Sequence, residues 1–385
     1  MINRYLQQII EQRLYKKKAI LLFGARQTGK STLAEAVLQS SGKEYMIMNG
    51  DDADVRDLFS QVTATKLRGI FGNHQLVLID EAQRIPQIGL AIKIIIDQLK
   101  DVQVIATGSS SFELSGQVNE PLTGRKYEYM LYPLSFGEMV NHHGLLEEKR
   151  MIQHRMIYGY YPEIVSSPGE ERERLKLLAG SYLYKDLLML ENIKKPVLLE
   201  KILRALALQL GQEVNYTELG QLTGTDRKTI EKYIDLLEKA FVIFQVPAFA
   251  KNVRNEIKKG RKIYFYDCGI RNAVIGNFTS LDSRPDTGAL WENFIIAERL
   301  KYLRNVGNDS RLYFWRTTQQ QEIDLVEDDN GKLTAVEFKW NKNSKARIPL
   351  TFRENYPGAE MKVVTPENVE EFLMEKQKPM NGEYE

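Results

Sequence analysis

Apolar residues in the first 140 positions fall in short runs separated by stretches of helical period. Ala19-Ile20-Leu21-Leu22-Phe23, Tyr45-Met46-Ile47-Met48, Leu76-Val77-Leu78-Ile79 and Val104-Ile105-Ala106 read as strands. Between them, Leu33, Ala36 and Val37 recur on one helical face, and Ile88 to Leu99 reads as an apolar helix with Pro86 near its first turn. Tyr5, Leu6, Ile9, Ile10 and Leu14 predict a short amphipathic helix ahead of all of these. With a further strand from Tyr127 to Leu131, strands alternating with helices predict an α/β fold whose parallel sheet is covered on both faces.

The pattern then changes. Residues 145–196 are helical and charged, with breaks at Gly159-Tyr160-Tyr161-Pro162 and Pro168-Gly169 and a further helix from Ser181 through Asp186. Three short helices follow, Leu198 to Leu210, Tyr216 to Leu222 and Asp226 to Lys239. Asn215 and Gly224 bound the second, and Thr225 or Asp226 caps the third. Strands at Phe241–Val246 and Lys262–Asp267 complete a helix-turn-helix with a wing. The last third offers an amphipathic helix from Gly288 to Leu300 and strands at Arg311–Arg316, Glu322–Val326 and Leu333–Trp340. The expected division is 1–145, the first α/β domain; 146–196, a helical linker or lid; 197–285, a winged helix; and 286–385, a C-terminal α/β domain.

Composition narrows the picture only a little. Of 385 residues, 27% are charged and 43% hydrophobic, as in ordinary globular chains. A net charge of +2 leaves any nucleic-acid surface to a local patch. Such a patch is expected from Arg227, Lys228 and Lys232 together with Lys251, Arg254, Lys258, Lys259, Arg261 and Lys262 around the wing, where phosphates of DNA or RNA would be contacted. The winged helix serves equally as a protein-interaction module. Cys268 is the only cysteine, which excludes an internal disulfide framework and a Cys-rich zinc module. The first ten residues lack the apolar centre of a signal peptide, and Ile88–Leu99 is too short to span a bilayer. A cytoplasmic protein without a membrane partner is the expectation.

The chemistry begins at Phe23-Gly24-Ala25-Arg26-Gln27-Thr28-Gly29-Lys30-Ser31-Thr32, where a strand enters a Gly-rich loop and a helix follows. Gly24 and Gly29 allow the turn, so the N–H groups from Ala25 through Thr32 can face phosphate oxygens. Lys30 would meet the β- and γ-phosphates of ATP, and the Ser31 hydroxyl would hold Mg²⁺. About fifty residues on, the strand Leu76–Ile79 ends in Asp80-Glu81, the pattern of a Walker B strand. Asp80 would hold Mg²⁺ and Glu81 would orient and deprotonate the attacking water. Thr107 and Ser109, at the tip of the next strand, are candidates to sense the γ-phosphate, with capping of a helix at Phe112 as the alternative. Arg125, on a turn, is a candidate arginine finger in this subunit or a neighbour, a role worth about 10³ to 10⁵ in rate; the alternative is a surface arginine. Action on a neighbour implies a homo-oligomer. No Asn-Lys-x-Asp guanine-reading motif is present, so adenine is expected.

In the last third, Glu337 and Lys339 are two apart on a strand and share a face, and Asp324 on the preceding strand can join them. Two carboxylates hold Mg²⁺ and a lysine orients water or stabilises a pentavalent phosphate, with Glu292 as a further ligand. Alternating charges on a solvent-facing edge strand would give the same letters.

Taken together, the phosphate loop, Asp80-Glu81-Ala82-Gln83, Thr107-Gly108-Ser109-Ser110, Leu122-Thr123-Gly124-Arg125 and Tyr132-Pro133-Leu134-Ser135-Phe136-Gly137-Glu138 resemble bacterial and archaeal AAA-type ATPases carrying a C-terminal domain of unknown function. Tyr158-Gly159-Tyr160-Tyr161-Pro162-Glu163, Tyr266-Asp267-Cys268-Gly269, Gly288 with Glu292-Asn293-Phe294, and Glu322-Ile323-Asp324 with Glu337-Phe338-Lys339 resemble that second half. Tyr160-Tyr161 stand where the family's turn has a second glycine, and Cys268 where threonine is common. The resemblance implies a P-loop ATPase domain of AAA or STAND-like kind at 1–145, a winged helix at 197–285, and at 286–385 a restriction-endonuclease-like fold similar to the PD-(D/E)xK nucleases. Two functions follow as expectations: an ATPase whose nucleotide state controls a nucleic-acid-binding, Mg²⁺-dependent nuclease half, or an ATP-driven switch whose nuclease-like fold is inert and only binds a partner.

Overall fold

The computed structural model describes residues 2–109, 122–183, 196–250, 260–341 and 348–374. The fold is α/β, and the chain divides into two compact units. The first comprises Met1–Leu134, Tyr161–Pro196 and Lys232–Val242; the second comprises Ser135–Tyr160, Val197–Glu231 and Ile243–Glu385. The stretch expected as one linker, 146–196, is thus shared between them.

The first unit is built on five parallel strands, β1 (Ala19–Phe23), β2 (Tyr45–Asn49), β3 (Leu76–Asp80), β4 (Gln103–Gly108) and β5 (Lys126–Met130), in the order β2-β3-β4-β1-β5. β1, β3 and β4 are apolar along almost their whole length because both faces are covered. Ile20, Leu22, Leu76, Leu78 and Ile105 pack with Leu33, Val37 and Leu38 of the helix Lys30–Ser40 and with Leu6 and Ile10 of the helix Tyr5–Arg13. The helix Ile88–Gln98 packs on β4. Pro86 lies outside this helix, because a 3₁₀ turn, Ala82–Arg84, intervenes and Gln87 turns the chain at φ 55°. The order places β4 between the strand that feeds the phosphate loop and the strand that ends in Asp80.

In the second unit the helices Pro196–Leu208 and Tyr216–Thr223 precede the antiparallel pair β6 (Ile243–Pro247) and β7 (Arg261–Phe265). The helix Arg227–Lys239 belongs to the second unit as far as Glu231 and to the first from Lys232. Asn215 accepts from the N–H groups of Thr217 and Glu218, and Gly224 ends that helix in the left-handed region. Asp226, rather than Thr225, accepts from Thr229 N–H at the head of the next helix. Beyond these, the helix Thr287–Asn305 leads into β8 (Arg311–Arg316), β9 (Glu322–Asp329) and β10 (Lys332–Phe338), then the helix Leu350–Asn355 and β11 (Glu360–Val364). The sheet order is β11-β10-β9-β8, antiparallel except for the parallel β10–β11 pair. β11 is absent from the sequence reading: it is a short edge strand, and its alternation of Glu360 and Lys362 with Met361 and Val363 runs over five residues of which only Val364 is buried. Tyr313, Trp315, Ile323 and Ala335 pack with Phe352 on one side, and the helix Thr287–Asn305 packs against β10 and β7.

Candidate functional site

The phosphate loop takes its form from two glycines. A Cβ on Gly24 would lie 2.2 Å from the Leu131 carbonyl oxygen, and Gly29 stands at φ 91° directly before the helix Lys30–Ser40. Between them Ala25 and Thr28 are buried while Arg26 is half-buried, and the Thr28 hydroxyl donates to the Ala25 carbonyl at 2.8 Å. Gln27 turns the loop at φ 61°, and its amide oxygen is buried without a hydrogen bond among the described residues. The buried Lys30 ammonium folds back on the loop, donating to the carbonyls of Gly24 at 3.0 Å and Ala25 at 2.9 Å. Lys30, Ser31 and Thr32 open the helix, where backbone N–H groups have no intrahelical acceptor.

Across the sheet, the Ser31 hydroxyl donates to Asp80 Oδ2 at 2.7 Å. The Thr107 hydroxyl donates to Asp80 Oδ1 and accepts from Glu81 N–H. Of the two expected sensors, Thr107 is therefore committed to Asp80. Glu81 sits in the left-handed region at φ 47°, turning its carboxylate away from the strand to accept from Gln83 Nε2, which also donates to Ser109 Oγ at 3.2 Å. Ser110, Ser111 and Phe112 lie outside the described residues. A cradle closed by glycine, an ammonium over it and a hydroxyl–carboxylate pair beside it fit a magnesium nucleotide: Lys30 on phosphate, Ser31 and Asp80 on the metal.

Arg125 is far from the phosphate loop of its own chain. It stands at the N-terminal end of β5, where its carbonyl accepts from Ala19 N–H and its guanidinium pairs with Asp97 at 2.7 Å. β1 runs parallel to β5 from Ala19 to Phe23 before the loop begins. Five residues at about 3.3 Å each place Arg125 roughly 16 Å from the loop, which removes the finger role on its own chain's nucleotide; the role on a neighbouring subunit does not depend on this register.

In the second unit, Lys339 Nζ lies 2.9 Å from Glu337 Oε2, and Asp324 accepts from Phe338 N–H at 2.7 Å. Burial, and then the Asp324 charge, raise the Glu337 carboxyl above its ordinary range. Burial raises Asp324 too, against its hydrogen bond from Phe338 and the Lys262 and Lys339 charges. Glu292 is engaged by other side chains. Its carboxylate accepts from Tyr264 at 2.6 Å and pairs with Lys262 at 2.9 Å, and Lys262 also reaches Glu322 at 2.5 Å. Burial pushes the Glu292 carboxyl up to about 7, with Lys262 opposing and Asp324 reinforcing the shift. Among the described residues no three His, Cys, Asp or Glu side chains are grouped to hold a metal, so the expected Glu292, Asp324 and Glu337 set is not assembled.

Lys262 is a correction. Expected on the exposed wing, it is 1% exposed, because β7 turns it toward the helix carrying Glu292. Arg261 is exposed beside Gln245, and Arg227, Lys228 and Lys232 are exposed. Lys251, Arg254, Lys258 and Lys259 lie outside the described residues, as does Asp186.

Residues 16–140 match the family model described as "AAA domain". This is an ATPase-type P-loop domain. Residues 149–281 match "Domain of unknown function (DUF8612)", and residues 287–379 match "Domain of unknown function (DUF4143)". An uncharacterized protein of Mycobacterium tuberculosis is 28% identical, covering 86% of this chain and 72% of that one. Another, from Haemophilus influenzae, is 26% identical and covers 92% of each. Among solved structures, the Thermotoga maritima RuvB Holliday junction branch migration motor is 15% identical over 67% of this chain and 95% of that one, with a TM-score of 0.30. The Pif1 helicase from Candida albicans is 14% identical over 40% and 48%, with a TM-score of 0.27. At such TM-scores neither the fold nor the activity of those two proteins transfers to this chain. Among the described residues no helix is long and apolar enough to cross a membrane.

Several motif residues of the P-loop chain's second unit are structural locks. Ser135 and Glu138 form a capping box. Buried Asp267 accepts from Tyr160 and Ile270 N–H groups, and Asn293 accepts from Phe265 N–H while donating to its carbonyl. In the P-loop domain the sequence reading missed Arg4, whose guanidinium donates to the carbonyls of Thr28 at 2.9 Å and Tyr132 at 2.6 Å. Its partners are 24 and 128 residues away, so no local pattern points to it.

Proposed function

We propose that the chain is a magnesium-dependent ATPase whose nucleotide state controls its C-terminal half. The observation that carries this is the Ser31–Asp80 hydrogen bond beside Lys30 and Glu81, two segments 49 residues apart joined where a metal nucleotide would sit. The N–H groups of the loop and Lys30 would bind the phosphates. Ser31 and Asp80 would hold magnesium, which would supply charge neutralisation to the bound phosphates. Glu81 takes a proton from water as the water oxygen bonds to the γ-phosphorus; the bond to the β,γ-bridging oxygen breaks and ADP leaves with the electron pair. Phosphate release tests this: Lys30→Ala should lose ATP binding, and Glu81→Gln should bind ATP without turnover. Undiminished hydrolysis in either variant removes the assignment.

For the C-terminal half, the order helix, three antiparallel strands, helix and parallel strand, with Asp324, Glu337 and Lys339 together, supports a PD-(D/E)xK-like fold acting on DNA or RNA. A second reading, a fold that binds without cutting, is favoured by Lys262, whose ammonium occupies Glu292 and Glu322 in place of a metal. The readings separate on Mg²⁺-dependent cleavage of DNA and RNA. Cleavage lost in Glu337→Ala while ATP hydrolysis persists supports the nuclease; intact nucleic acid with the unmutated chain supports the switch.

A further inference from the structure

Gln83 has no role in the reading above, yet it touches two of that site's groups. It lies on the 3₁₀ turn directly after Glu81, is 8% exposed, and gives its Nε2 to both the Glu81 carboxylate and the Ser109 hydroxyl. Its Oε1 is buried and accepts no hydrogen bond among the described residues. A buried amide that served packing alone would satisfy its carbonyl, because an unpaired buried acceptor is costly and an apolar side chain of the same size would avoid that cost. This amide is instead held by its two N–H groups, one on the base and one on the hydroxyl at the tip of β4.

We propose that Gln83 is a positioning residue for ATP hydrolysis, tying the Glu81 carboxylate to Ser109 so that the base is aligned through the hydroxyl facing the γ-phosphate. Accepting from Gln83 leaves the Ser109 proton free to be donated to a phosphate oxygen. The chain phosphate, Ser109, Gln83, Glu81 is then continuous, with the Gln83 amide nitrogen as the donor to both of its neighbours. With the γ-phosphate gone, Ser109 loses its acceptor and the carboxylate loses that alignment. Asp80 is kept out of this chain, since Thr107 holds its other oxygen. Glu81 still takes the proton of the attacking water; Gln83 transfers nothing.

The inference rests on the hydrolytic reading, and the test keeps the two apart. The full chain is compared with Gln83→Leu, Ser109→Ala and the double variant by steady-state phosphate release and by binding of a fluorescent ATP analogue. Misplacing a base by about 1 Å costs up to ~10²-fold, so Gln83→Leu should lower kcat roughly ten- to a hundredfold with analogue affinity unchanged. The double variant should be no slower than the slower single variant, because both break one chain. Multiplying losses would show that Gln83 acts without Ser109 and would overturn the proposal, as would a wild-type kcat in Gln83→Leu. If Gln83→Leu loses analogue binding, Gln83→Asn, one methylene short of spanning both partners, carries the same comparison. No turnover in the unmutated chain sinks the hydrolytic reading and this one with it.

Discussion

Replacing Lys262 by Met removes a cation that is 1% exposed and stands between two carboxylates, 2.9 Å from Glu292 and 2.5 Å from Glu322. At an effective dielectric near 20, the attraction to Glu292 alone is about 6 kcal/mol. Most of that is offset by the desolvation of the ammonium, so the pair adds little net stability over an apolar replacement of both partners. What the single variant loses is different: it leaves Glu292 buried without its counter-ion, at a cost of about 3–5 kcal/mol. The three tryptophans of the chain, Trp291, Trp315 and Trp340, all lie in the second unit, so their fluorescence in urea reports on that unit. With a slope of about 2–3 kcal/mol per molar, the midpoint should fall by roughly 1–2 M. The effect has a direction in pH. Burial lifts Glu292 from 4.5 to about 7, so the folded unit keeps a proton there that the unfolded chain has lost. Its stabilising contribution is complete below pH 4.5 and is lost as the pH rises through about 7. The Lys262→Met penalty should therefore be larger at pH 8 than at pH 5, and Lys262→Met/Glu292→Gln should recover much of it. A single variant within about 1 kcal/mol of the unmutated chain at pH 8, beneath the range for a broken buried pair, would refute the argument.

Other consequences are more local. Gly24→Ala drives a Cβ to 2.2 Å from the Leu131 carbonyl, so the loop must shift; a cost of about 1–3 kcal/mol and a reduced thermal stabilisation by ATP are expected. Arg125→Ala should leave the ATP affinity of the dilute monomer unchanged and cost at most about 1 kcal/mol, since within the chain it removes only a half-exposed pair with Asp97; weakened nucleotide binding by the monomer would contradict the strand register. The Cys268 thiol is pushed up to about 12 by burial and by the neighbouring Asp267 charge. Alkylation at pH 8 should be slow in the folded chain and fast in urea, with rapid labelling of folded protein counting against the buried thiol.

Much of the nucleotide site was legible because its signals are local. Gly24, Gly29, Lys30 and Ser31 lie within eight residues, and the same backbone run that needs the glycines presents the helix N-terminus. Asp80 and Glu81 were legible as the end of an apolar strand. Asn215, Gly224 and Asp226 mark helix ends by chemistry that acts over three or four residues. Gln83 was visible in the motif but mute, because its meaning lies in Ser109, 26 residues away.

The sequence by itself determined where most strands and helices run, β11 and the 3₁₀ turn Ala82–Arg84 excepted, since periodicity and capping depend on neighbours along the chain. It also determined the order of chemical groups in the phosphate loop. Only the tertiary structure decided which end of the sheet each group occupies and which charges are taken out of water. Arg125 is on a turn by sequence, but the parallel register of β1 and β5 puts that turn at the end away from the loop. Lys262 looks like one of a basic cluster, but the pairing of β7 and its packing on the Glu292 helix bury it against Glu292 and Glu322. A charge in a sequence has a sign; its burial and partner come from segments that the fold alone brings together.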